Sequence, residues 1–243
     1  MKKAGFVLFA AALLVLGAGC ASPGRAILLS EPEPVALVSV VANWDINWHG
    51  EDPVNPNFIG ASTRRALHAD PDLTIVSNTE ELIYTAERHI REIMGWSGII
   101  ELADRETVLL SRAYQEAGLN RRRMSRPYVL PAGYRLINPR DREFPQALAA
   151  ETGIRRSMFV EFTFTKAMRS GFARNGNSGA NLDMGVLILD AGGRTLYNRT
   201  FSLGSRGAIS VSNGMYSHSG LMALFDALII DACHEFLYRL EGW

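Results

Sequence analysis

Residues 182–203, LDMGVLILDAGGRTLYNRTFSL, predict a β-hairpin. Apolar side chains recur at every second position from Leu182 to Ile188, which is the period of a strand with one covered face. Asp190-Ala191-Gly192-Gly193 then supplies the residue types of a tight turn, and Thr195 to Leu203 is the returning strand. The hairpin therefore predicts antiparallel pairing in a sheet that is covered on one face.

Other segments extend this sheet. Met158 to Thr165 alternates in the same way, and Leu73 to Val76 predicts a further short strand. Val35 to Trp48 is predicted as one long strand, with its apolar side chains at the even-numbered positions from Val38 onward. The polar residues between them are expected to face solvent.

Apolar residues at helical spacing predict the layer that packs on the sheet. Ser77 and Glu80 have capping-box spacing at the start of one helix, and the last helix would bury Phe225 and the unpaired Cys233. The predicted helices are residues 77–94, 99–117, 144–152 and 219–240. Together these elements predict an α/β fold, with α+β as the alternative: a mixed, largely antiparallel sheet packed by helices in a single domain over residues 35–243.

The N-terminus has the pattern of an export signal. Lys2 and Lys3 precede a short apolar run that is too short for a comfortable membrane span. The residues LGAGC at 16–20 resemble the lipobox of bacterial lipoproteins, although Gly17 stands where that family prefers leucine. The resemblance implies a signal peptide over residues 1–19, acylation of Cys20, and a tether over residues 20–34 whose apolar residues 26–29 could dock on the domain. An ordinary secretory signal or an N-terminal anchor is the alternative.

The charge of the chain bears on its partners. The sequence has 25 basic and 25 acidic residues, and removal of the predicted signal takes away only Lys2 and Lys3. A nearly neutral body argues against binding to nucleic acid. Lys166 is the only lysine beyond the predicted signal peptide, so almost all positive charge is carried by arginine.

The end of the first strand carries the residues with the most suggestive chemistry. Two aromatic and three ionisable residues form the candidate binding surface: Trp44, Asp45, Trp48, His49 and Glu51. Tryptophan flanked by charge is typical of protein recognition sites. Both tryptophans also lie on the apolar face of the predicted strand, so the core is the alternative location, and Trp48 is the better candidate for exposure because it is nearer the loop.

The same loop offers a second function. Asp45, His49, Glu51 and Asp52 could hold a metal ion for a periplasmic or surface hydrolase. Their spacing matches no established metal motif, and the sequence has no Gly-x-Ser-x-Gly, His-Glu-x-x-His or Walker loop. We therefore expect no catalytic residue, no cofactor and no metal.

Three segments carry a resemblance to known envelope lipoproteins: VALVSVV at 35–41, the passage from AAETG at 149–153 to MFV at 158–160, and VLILDAGGRTL at 186–196. Their order resembles the α/β domain of the curli-secretion-channel family, the lipoprotein activators of penicillin-binding proteins, and the N-terminal domain of the Tol-system β-propeller protein. The resemblance implies a non-enzymatic binding or assembly role in the cell envelope. It also implies a lipid-anchored location, with the outer membrane favoured over the inner, and as partner another envelope protein or a second copy.

Overall fold

The computed structural model describes residues 23–30, 33–48, 60–120, 127–172 and 175–242. Cys20 and the two loop residues His49 and Glu51 lie outside these ranges. The helices are α1 Pro23–Ser30, α2 Ala61–Ala69, α3 Glu80–Ser97, α4 Arg105–Leu109, α5 Arg112–Glu116, α6 Glu143–Thr152 and α7 His218–Glu241. The strands are β1 Val35–Asn43, β2 Asn47–Trp48, β3 Leu73–Thr74, β4 Tyr128–Val129, β5 Arg156–Phe172, β6 Asn175–Asp190, β7 Thr195–Gly204, β8 Ile209–Ser212 and β9 Met215–Ser217.

The described strands form one mixed sheet. Its order is β3-β9-β8-β6-β5-β1-β4, with β7 also pairing with β6 and β2 with β5. Strand β1 runs parallel to β5, from Val35 opposite Arg156 to Ala42 opposite Phe162, and β2 is parallel to β5 as well. The remaining pairings between strands are antiparallel. The predicted fold class, a largely antiparallel mixed sheet packed by helices in a single domain, is confirmed.

The predicted hairpin is confirmed in detail. Strands β6 and β7 pair from Asn181 opposite Gly204 to Leu189 opposite Thr195. In the turn, the Asp190 carboxylate accepts hydrogen bonds from the backbone N–H groups of Gly192 and Arg194, both at 2.9 Å. Gly193 has φ +73°, a conformation that side chains disfavour, which explains the glycine at that position.

Strand β1 differs from its prediction in two ways. Its residues from Val35 to Ala42 are buried on both faces, as is typical of a strand inside a sheet that is covered on both sides. Its neighbours in the sheet are β5 and β4. It also ends at Asn43 instead of continuing to Trp48. The Asn43 side chain accepts a hydrogen bond from the Phe164 backbone N–H at 2.8 Å and donates to the carbonyl oxygens of Phe164 and Asp45 at 3.0 and 2.6 Å. This amide replaces main-chain pairing, so the chain bends before β2 begins.

The final helix covers one face of the sheet, as predicted. Phe225 packs edge-on against Phe164 with ring centroids 5.1 Å apart, and Phe236 packs on Tyr197 at 5.4 Å. Cys233 is fully buried, and burial raises the pKa of its thiol to about 12, so the thiol is unreactive. No helix in the described ranges is both long and apolar enough to span a membrane.

The predicted helix over residues 99–117 is wrong, because the chain forms two short helices there. The backbone of Val35 bonds with Glu101 and Ala103, at 2.8 and 2.9 Å, which holds this stretch extended beside β1. Asp104 and Ser111 then cap the two new helix starts, α4 and α5. The helix predicted from residue 77 is found as α3, but Thr79 occupies the N-cap position instead of Ser77.

The elements give the molecule two distinct ends. At the loop end, β1 finishes beside the start of α3, where the Thr79 N–H donates to the Trp44 carbonyl at 3.0 Å. At the tether end, β1 begins and α1 docks, with Leu28 buried and Arg25 donating to the Leu240 carbonyl at 2.8 Å. Helices α3 and α7 both begin at the loop end, where Ser77 and Tyr216 are in contact just before them. Both run from there to the tether end, where the end of α7 lies beside α1.

The aromatic contact between α7 and the sheet yields a stability prediction. Phe225→Ala should lower the free energy of unfolding by about 3–5 kcal/mol, because it removes a fully buried ring and leaves a cavity. Tyr84→Ala, at a half-exposed position on α3, is the control and should change it by less than about 0.5 kcal/mol. Urea unfolding of both variants measures the difference, and equal losses would contradict the packing described here.

Candidate functional site

The described part of the candidate binding surface lies at the loop end. Trp44 is 38% exposed, and Asp45 beside it is partly exposed and forms a β-bridge with Asn78. Trp48 is only 8% exposed, because β2 pairs with β5 and turns its ring inward. The expectation that Trp48 is the more exposed tryptophan is therefore wrong. His49, Glu51 and Asp52 lie outside the described residues, so their part in the surface stays a prediction.

A buried lysine holds Trp48 in place. The Lys166 ammonium lies 4.9 Å from the centre of the Trp48 ring and 5.3 Å from that of Tyr216, so two aromatic faces flank it. It also donates a hydrogen bond to the Ile46 carbonyl, and Lys166 as a whole is only 3% exposed. Desolvation lowers the pKa of Lys166 to about 8, against the opposing effect of the Asp45 carboxylate.

Sequence reasoning missed this lysine as part of the site. A signal was present, since Lys166 continues the alternating apolar positions of β5 and is the only lysine of the body. A charged residue on the covered face of a strand calls for a partner. The partners come from β2 and β9, which lie far from Lys166 in sequence, so the pattern alone could not name them.

A hydrogen-bonded chain of polar groups continues from Tyr216 along the loop end. The Ser77 hydroxyl lies 3.0 Å from the Tyr216 hydroxyl and 3.1 Å from Nδ1 of His218. Nε2 of the same ring is 3.6 Å from the Glu81 carboxylate. The order hydroxyl, imidazole, carboxylate is the order that activates a serine nucleophile.

Burial argues against that chemistry here. Ser77 is buried and shares its hydroxyl with Tyr216, whereas a nucleophile has to reach a substrate carbonyl. The Ser77 main chain is also engaged, because its carbonyl accepts from the Ile46 N–H at 3.0 Å. We interpret this chain of groups as a structural link that joins the start of α3 to β9 and the start of α7.

The described residues do not support the alternative function, a metal-assisted hydrolase. Within the ranges that the structure describes, no three histidine, cysteine, aspartate or glutamate side chains come close enough to hold a metal ion. Asp45 is the only member of the four-residue loop set that lies within those ranges. Asp45 also interacts electrostatically with Lys166, whose positive charge disfavours a cation at this place.

Comparisons with known proteins give little further guidance. No protein-family model matches the chain, and no curated protein matches it. Among solved structures, the chain is similar to the "LpoB C-terminal domain from Salmonella enterica", with 11% sequence identity. The alignment covers 74% of this chain and 93% of that chain, with a TM-score of 0.24. The likeness is too loose to indicate a function.

The desolvated lysine predicts a dependence of stability on pH. Between about pH 8 and its ordinary pKa of 10.5, Lys166 binds fewer protons in the folded than in the unfolded chain. The contribution of Lys166 to the free energy of unfolding should therefore rise with pH across that window. The free energy of unfolding of the native chain, relative to Lys166→Met, should increase by at most about 3 kcal/mol from pH 7 to pH 10.5. Chemical denaturation at several pH values tests this, and a constant difference would show that the lysine is solvated.

Proposed function

We propose that this chain is a lipid-anchored cell-envelope protein whose loop end binds another protein without catalysing a reaction. The observation that carries the proposal is the partly exposed Trp44 beside Asp45, at the end of the sheet opposite the docked α1. An exposed aromatic ring flanked by charge is the usual composition of a binding hot spot. The anchor at one end and the ring at the other would leave the ring free to meet a partner.

The backbone around Trp44 supports this role because it is fixed on both sides. The Trp44 N–H donates to the Pro127 carbonyl at 3.2 Å, and its carbonyl accepts from the Thr79 N–H at 3.0 Å. Behind it, Trp48 and Lys166 form the buried stack described above. A ring on a rigid backbone loses little conformational entropy on binding, so more of its contact energy contributes to affinity.

Anchoring rests on the lipobox-like sequence at residues 16–20. Each buried methylene of an acyl chain contributes ~0.8 kcal/mol, so several chains hold a protein on a bilayer where one barely does. The docked α1 keeps the folded body close to the acylated residue, since only two residues separate Pro23 from Cys20. The outer membrane is the favoured location, and another envelope protein or a second copy is the expected partner.

The anchor can be tested at the acylated residue. Cys20→Ala should abolish incorporation of a labelled fatty acid and leave the signal peptide uncleaved or the protein released from membranes. Cys233→Ala is the matched control, because its buried thiol cannot be acylated in the folded protein and its loss should leave labelling unchanged. Retention of label by the Cys20→Ala variant would refute the proposed attachment site.

The binding surface can be tested with a photoreactive side chain at the exposed position 47, Asn47→p-benzoylphenylalanine. Amine-directed reagents would fail here, since the single lysine of the body is buried. Introducing Trp44→Ala into this photoreactive variant should lower the yield of partner crosslinked in cells about tenfold, because a hot-spot tryptophan is lost. Trp44→Ala should hardly change the melting temperature.

Trp48→Ala is the contrasting variant. It should lower the free energy of unfolding by about 3–5 kcal/mol, because it removes a buried ring and exposes Lys166. If Trp44→Ala crosslinks as well as the native chain, the loop end is not the binding surface.

A further inference from the structure

A groove of about 600 Å³ lies at the tether end, between the last turns of α3 and α7. Its apolar lining is Ile93, Trp96, Ile99, Leu237 and Tyr238. Trp96 is 89% exposed and Tyr238 is 50% exposed. Trp96 is thus the most exposed large apolar residue of the described chain, and it forms a patch with its neighbours instead of standing alone. Contiguous exposed apolar surface of this kind marks a contact with a partner or a membrane.

The position of the groove indicates which contact it makes. Helix α1 is fixed beside the last turn of α7, because Arg25 donates to the Leu240 carbonyl at 2.8 Å. At the other end of α1, Arg156 donates to the Ile27 carbonyl at 3.2 Å. The groove and the start of the described chain therefore lie at the same end of the molecule.

The length of chain before α1 limits how far the groove can be from the lipid. Cys20 precedes Pro23 by three residues, which span at most ~11 Å even when fully extended. An acyl chain on Cys20 would enter the bilayer within that distance of α1. Acylation at Cys20 would therefore keep this end of the molecule near the membrane surface for as long as α1 stays docked.

We propose that this groove is the surface on which the folded domain lies against the bilayer, with Trp96 and Tyr238 at the level of the lipid headgroups. This inference rests on the anchoring part of the proposed function. Tryptophan and tyrosine are enriched at membrane interfaces, where an apolar ring with a polar group suits the boundary.

The charge at the rim of the groove is close to balanced. Glu92 and Glu241 border the groove, but the Arg88 guanidinium lies 3.8 Å from the Glu92 carboxylate. At the C-terminal end of α7, Arg25 donates to the Leu240 carbonyl. A rim without net positive charge does not favour anionic lipids, so zwitterionic lipids with an amine headgroup suit the groove. Helix α7 has 24 residues and is ~36 Å long, so this orientation would hold the loop end roughly that far from the lipid.

The experiment uses the full acylated chain, with a fluorophore attached at a single introduced cysteine. Cys233 is buried, with the pKa of its thiol raised to about 12, and Cys20 would be acylated, so only the new cysteine reacts. Trp96→Cys places the fluorophore in the groove, and Trp44→Cys places it at the loop end as the matched control. Each labelled chain is incorporated into phosphatidylethanolamine-rich vesicles whose acyl chains carry bromine as a quencher.

The expected result is flotation of both variants with the vesicles, about a twofold loss of fluorescence from the label at position 96, and almost none at position 44. Quenching of the groove label by iodide in water, but not by bromine, would overturn the inference and leave the anchor intact. Protection from both quenchers would also overturn it, since a second copy would then fill the groove. If the chain does not float, the anchoring itself is refuted and this inference falls with it.

Discussion

The parallel pairing of β1 with β5 is the constraint on which the rest of this structure depends. Parallel neighbours cannot be joined by a tight turn, so the chain between Asn43 and Arg156 has to travel back along the whole sheet. Helix α3 runs from the loop end to the tether end, but the chain then returns to the loop end to pair β4 with the end of β1. Residues 130–155, which include α6, lead it to the start of β5. Helix α1 lies at the start of β1 and the bend lies at its end, so the two are at opposite ends of this strand.

The hydrophobic core stabilises the described part of the chain without a disulfide. Cys233 is buried alone among aromatic and aliphatic side chains, so a disulfide contributes nothing in the described chain. Stability comes instead from the face of β5 and β6 on which α7 packs, where Phe164, Phe225 and Phe236 provide large apolar area and edge-to-face contacts. The buried Lys166 is the exception within this core. Its aromatic neighbours and one carbonyl replace the water that it loses.

The sequence predicted those parts of the fold that have a local cause. The hairpin around Asp190 follows from a period of two and a turn motif, and α7 follows from helical spacing. The failures have tertiary causes. Asn43 ends β1 because its side chain pairs with Phe164, 121 residues away, and Trp48 is buried because β2 joins β5. The extended stretch that replaces the start of the predicted helix over residues 99–117 depends on main-chain bonds to β1. At the candidate site, Trp44 and Asp45 were identified by composition, whereas Lys166 acquires its role only from distant strands.

The position of α7 after the strands that it covers has a consequence for biosynthesis. The pairs β1–β5 and β5–β6 can form once residue 190 has been made, yet the apolar face that they create stays uncovered until the last 24-residue helix is complete. A nascent or truncated chain would therefore display Phe162, Phe164 and Met184 on an open sheet, which is the kind of surface that aggregates or is captured by chaperones. Loss of a few C-terminal turns would leave the hairpin intact and still make the protein a substrate for quality control.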